Sequence, residues 1–119
     1  MDTSETFIKM VDCPEIQELW NPQKGDLYVY WEVGPEYKVH LLHRPAGYFK
    51  KYEAYRWLPR QDDLEKMISP DWRKVLALEF AYAKNYDVSS VETKCQLDLM
   101  IYMRERHGKT WLGTEWVKR

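Results

Sequence analysis

The chain has 119 residues, with eighteen lysines and arginines against nineteen aspartates and glutamates and a formal net charge of −1. That length suits a single domain over 1–119, able to bury roughly two-thirds of its unfolded surface, and excludes a large multi-domain enzyme. The charge balance argues against a generally basic nucleic-acid binder, and an aromatic share of 15% argues against a disordered chain.

The first dozen residues hold Asp2, Glu5 and Asp12 and no apolar run longer than two. A signal peptide needs a basic start and an apolar stretch of about 7–15 residues, so none is expected. No window approaches the roughly 18 apolar residues of a membrane helix, and a cytoplasmic protein is expected. Cys13 and Cys95 lie far apart and outside any CxxC pair, so both are expected as free buried thiols.

Asp12 and Glu15 have capping-box spacing, and Pro14 suits a first helical turn. A short helix over about 13–19 is predicted, ended by Asn21-Pro22, with a turn over 23–26. Residues 27–33, Leu-Tyr-Val-Tyr-Trp-Glu-Val, have strand composition. Leu27, Val29, Trp31 and Val33 share one face there, and Tyr28, Tyr30 and Glu32 the other. After Gly34-Pro35-Glu36, a returning strand over 37–43 completes a hairpin with one dry and one tyrosine-bearing face. The segment 48–58 is read as a third strand, with poorer alternation.

The period then changes. Asp62 and Glu65 have capping-box spacing for a helix over about 62–68, and Ser69-Pro70 reads as cap and first turn of the next. Trp72, Val75, Leu76, Phe80, Ala83 and Tyr86 recur at three and four, which predicts a buried stripe. Ser89 and Glu92 are read as capping a last helix with Val91, Cys95, Leu99, Tyr102 and Met103 on one face. Gly108, after Arg104, Arg106 and His107, suits a helix C-terminus. The tail over 110–119 carries Trp111 and Trp116 and is expected to fold back onto the sheet or the last helix. The class is α+β: a small antiparallel sheet packed by C-terminal helices.

The stretch 44–60 holds Arg44, Lys50, Lys51, Arg56 and Arg60 against Glu53 alone, a net +4, so the remaining residues sum to −5. Tyr48, Phe49, Tyr52, Tyr55 and Trp57 lie among these cations. Cations for phosphate and rings for stacked bases are what single-stranded nucleic-acid binding requires. Lysines on a solvated face and aromatics in a core account for the same pattern.

His40 and His43 form an H-x-x-H, but residues three apart on a strand point to opposite faces, so no metal site is expected. A solvated His40 and a partly buried His43 are expected instead. Gly108-Lys109-Thr110 lacks the upstream glycine and following helix of a phosphate-binding loop. None of Ser4, Ser69, Ser89 and Ser90 sits in a nucleophile elbow, and Cys95 falls on a core stripe. No catalytic residue, cofactor or enzyme activity is expected.

Trp57-Leu58-Pro59-Arg60-Gln61-Asp62-Asp63-Leu64, followed by Met67, resembles a W-L-P-R-Q-D-x-L signature in short phage and prophage proteins. Lys109-Thr110-Trp111-Leu112-Gly113-Thr114-Glu115-Trp116-Val117 is similar to the ending of the same proteins, and Trp20-Asn21-Pro22-x-x-Gly25-Asp26 to their N-terminal portion. The resemblance implies a bacterial or phage cytoplasm and an accessory role, and it carries over no activity. The signature also reads as a strand-to-helix junction: Trp57 anchors the sheet, Pro59 ends the strand, and Leu64, Met67 and Ile68 turn inward. Arg60 and Gln61 are left without a structural duty.

These features predict an interaction module that binds a host or phage protein, because Tyr and Trp cover large areas at low entropy cost. The alternative is a nucleic-acid-associated accessory protein using Arg44, Lys50, Lys51, Arg56, Trp57, Arg60 and Gln61. Self-association through the Tyr28/Tyr30 face is compatible with either.

Overall fold

A computed structural model describes residues 2–31, 37–43 and 55–118, apart from the Trp31 side chain. Arg44, Lys50, Lys51 and most of the expected third strand lie outside these residues. The protein is an α+β chain with five helices and two small antiparallel sheets among the described residues. The chain divides into two compact units, one from 3–59 and one from 60 onward together with Asp2.

The first unit begins with α1 (Glu5–Val11), a helix without a counterpart in the expected elements. Ser4 caps it, its hydroxyl accepting from the Phe7 N–H at 3.2 Å, and Phe7, Ile8, Met10 and Val11 are buried. Asp12 is therefore the C-cap of α1 rather than the N-cap of the second helix. That second helix, α2 (Pro14–Gln17), starts from Cys13 without a side-chain cap and is shorter than expected. Gly25, at φ +96°, turns the chain so that its N–H reaches the Leu42 carbonyl at 2.8 Å. Asp26 holds the same turn by accepting from the Trp20 indole and the Gln23 N–H, at 3.1 and 2.8 Å.

β1 (Leu27–Trp31) lies between β2 (Tyr37–Leu41) and β3 (Arg56–Leu58), antiparallel to both. The hairpin register pairs Leu27 with Leu41 and Val29 with Val39, so the face alternation runs as the sequence requires. Val29 and Leu58 are fully buried, whereas Val39 and Leu41 are exposed on the outer strand. Tyr28 and Tyr30 stack against His40, with ring centroids 5.5 and 4.4 Å away, and Tyr55 and Trp20 extend this cluster. This reverses the expected histidines: pairing opposite Tyr28 draws His40 into the aromatic face, while His43 lies past the strand end and is exposed.

In the second unit, α3 (Gln61–Ile68) buries Leu64 and Ile68 and leaves Met67 half-buried. Its box residue is Asp63, which accepts from the Arg60 N–H at 2.9 Å, in place of the expected Asp62 and Glu65 pair. Asp71, not Ser69, caps α4 (Trp72–Asn85), because its carboxylate reaches the Arg73 N–H at 3.0 Å. Thr93 displaces Ser89 as the cap of α5 (Lys94–His107) in the same way. Gly108 ends α5 in the left-handed conformation at φ +64°, with three basic residues in the last turn. The tail makes its own hairpin of β4 (Lys109–Trp111) and β5 (Trp116–Lys118), whose facing indoles lie 5.1 Å apart.

Within the first unit, Gln17 clamps β3. Its amide donates to the Val11 and Trp57 carbonyls at 2.9 and 3.1 Å and accepts from the Trp57 N–H at 2.7 Å. Truncation leaves three backbone groups without that partner, a loss of about 2 kcal/mol. Gln17→Ala is expected to lower the urea unfolding midpoint accordingly. A midpoint equal to that of the parent chain would show that these bonds do not hold β3.

Candidate functional site

α5 is buried almost all round: Cys95, Gln96, Asp98, Leu99, Met100, Ile101, Tyr102 and Met103 are inside. A helix so placed must satisfy its polar side chains internally. Gln96 receives the Glu92 N–H on its carbonyl and donates to Asp2, which also accepts from the Thr93 hydroxyl at 2.6 Å. Burial pushes the Cys95 thiol up from its ordinary value, as expected of an inert core cysteine. Cys13, the other free thiol, is only half-buried.

Asp98 is the demanding residue, with no exposure at all. Gln61 from α3 donates to one of its oxygens. The other, Oδ1, and Oε2 of buried Glu79 on α4 have no conventional donor. Two ionised carboxylates in contact only accept, so a proton kept on Asp98 lets it donate to Glu79. Burial, followed by the hydrogen bond to Glu79 and the Glu79 charge, accordingly pushes Asp98 up to about 8, against the opposing pull of Gln61 and Lys94.

Lys94 closes the cluster from α5. Its ammonium meets Glu65 of α3 at 2.6 Å and lies 3.5 Å from Glu79 Oε2. That bond raises the Lys94 pKa and lowers that of Glu65. Gln61, Glu65, Glu79, Lys94 and Asp98 thus tie three helices together. Asp98 is sealed from solvent, and its carboxyl fastens the cluster from within.

The outer side of α4 is the opposite case. The inner side of that helix buries Val75 and Glu79, with Leu78 and Tyr82 half-buried beside them. Trp72, Leu76 and Phe80 project outward with 68%, 45% and 71% of their surface exposed. Spaced four apart, they form one stripe, continued by Ala83. The expectation that Trp72, Leu76, Phe80 and Tyr86 are core residues is therefore corrected. The helix carries two apolar lines, and the one containing Glu79 turns inward, where its carboxyl meets Asp98.

Compared with protein-family models, curated proteins and solved structures, this chain matches none.

Of the residues singled out in the sequence, Arg56, Trp57, Arg60 and Gln61 are described, and each is engaged or covered within its own unit. Arg56 donates through Nε to Asp12 at 2.6 Å, Trp57 is buried at 8% exposure, and Arg60 flanks α3 half-buried. Gln61 acquires the structural duty that the sequence left open. The α4 stripe was visible as periodicity, yet periodicity does not say which apolar line meets water. The Asp98–Glu79 pairing had no sequence signal, since the two residues lie on different helices.

The sign of the resulting pH dependence follows from linkage. Unfolded Asp98 titrates near the usual carboxylate value of about 4, whereas the folded state keeps its proton up to about 8. Folding therefore binds a proton within that window, and its contribution is greatest at the acid end and declines as pH rises. Asp98→Asn mimics the protonated form and should flatten this decline, read as urea midpoints between about pH 5 and 8. Parallel profiles for the two proteins would dismiss the shared proton.

Proposed function

We propose that this chain is a non-catalytic protein-interaction module whose docking surface is the outer face of α4. One observation carries this reading: three large apolar side chains, Trp72, Leu76 and Phe80, stand exposed in register on a single helix. Contiguous exposed apolar surface of this kind marks binding faces, and tryptophan is enriched among the residues that dominate them. The resemblance of residues 57–64 and 109–117 to short phage and prophage proteins supports an accessory role in a bacterial or phage cytoplasm. No helix among the described residues is long and apolar enough to cross a membrane.

The nucleic-acid alternative draws less support from the described part of its stretch. Arg56 already binds a carboxylate, and the Trp57 ring is not available for stacking.

Phe80→Ser tests the proposal, because removal of an exposed side chain changes folding stability by no more than about 0.5 kcal/mol. Helical peptides selected from a displayed library against the parent chain should lose binding to this variant. Peptides that bind both proteins equally, or the absence of any enrichment, would sink the reading.

A further inference from the structure

We infer that the α4 face is built for an acidic amphipathic segment rather than for a second copy of this chain. The inference rests on the docking reading above and adds the chemistry of the partner. Between Trp72 and Asn85 the one acidic residue is Glu79, and it is turned inward against Asp98 and Lys94. The helix surface left to water therefore carries Arg73, Lys74 and Lys84 without an acidic residue of its own.

Position decides which cations matter. At 3.6 residues per turn, Lys84 continues the Trp72–Leu76–Phe80 row at one end, and Arg73 lies about 100° round from Trp72 at the other, on the side away from the core. Lys74 falls well round the helix. The Arg73 guanidinium lies 5.6 Å from the Trp72 ring centre, so apolar anchor and cation form one recognition element. Asp71 is engaged at the helix N-cap, where its carboxylate accepts from Arg73 N–H. A helix pressing apolar residues onto this stripe thus places its flank against two positive charges. Carboxylates on that flank are attracted, and ammonium or guanidinium groups are repelled.

The same arrangement disfavours self-pairing. Two copies of α4 packed antiparallel across Leu76 and Phe80 bring Arg73 of one onto Lys84 of the other. Packed parallel, each cation meets its own counterpart. Both arrangements set like charges together at the rim of a small apolar contact.

Three fluorescein-labelled 18-residue amphipathic peptides test this, sharing one leucine-rich face and carrying glutamate, glutamine or lysine on the flanks. Anisotropy titrations with the full chain should rank them glutamate, glutamine, lysine, with roughly tenfold between the first two and a preference that shrinks with salt. Arg73→Glu together with Lys84→Glu should invert the ranking, and Phe80→Ser should abolish binding of all three. Equal binding of the three peptides, lost in Phe80→Ser, would overturn the acidic partner while leaving the docking face intact. Failure of every peptide, with a monomer by light scattering, would overturn both. A dimer dispersed by Phe80→Ser would overturn the acidic partner in favour of self-association.

Discussion

The burial of Asp98 is the constraint around which the C-terminal unit is arranged. A carboxyl with no access to water must be neutral, paired or both. Here it is both in part: a proton shared with Glu79, an amide from Gln61, and a lysine close by that is engaged chiefly with Glu65. Each partner comes from a helix that must be present for the carboxyl to be tolerated. Gln61 fixes the start of α3 and Glu79 the middle of α4, so one polar group selects the faces that two helices turn inward. Apolar packing by Leu64, Ile68, Val75 and Leu99 supplies the bulk of the driving force, while the polar cluster supplies the register.

The same choice explains the surface. An amphipathic helix ordinarily hides its best apolar line. In α4 the line of Trp72, Leu76 and Phe80 is the bulkier one, yet the line containing Val75 and Glu79 is inside. Turning the helix to bury the three large side chains would expose Glu79 and leave Asp98 without the oxygen that shares its proton. The buried pair and the exposed stripe are thus two sides of one rotational setting of the helix.

Much of the fold is legible in the sequence, unevenly and for physical reasons. The hairpin register follows from alternation, because a one-residue slip would reverse every face of β1. Helix α5 is legible from Cys95, Leu99, Tyr102 and Met103, and Gly108 marks its end. Helix boundaries were harder. Ser69, Asp71, Ser89 and Thr93 are all competent caps, and the one that closes a bond is settled by backbone geometry. The short α1 offers Ser4 and the spacing of Phe7, Met10 and Val11, a signal compressed into two turns. The surface was the least legible part: Gln61 and Arg56 looked available because their partners, Asp98 and Asp12, lie 37 and 44 residues away.

The shared proton also alters the protein's charge. The formal −1 counts every aspartate as ionised at pH 7. With Asp98 largely neutral below about 8, the folded chain sits close to zero at that pH, whereas the unfolded chain keeps its negative charge. Retention of the Asp98 proton thus removes one negative charge from the native molecule. The molecule thereby has less of the mutual repulsion that keeps charged proteins apart, while exposing an apolar helix face. Folding moves this protein toward the colloidal condition in which contact with other molecules is least opposed.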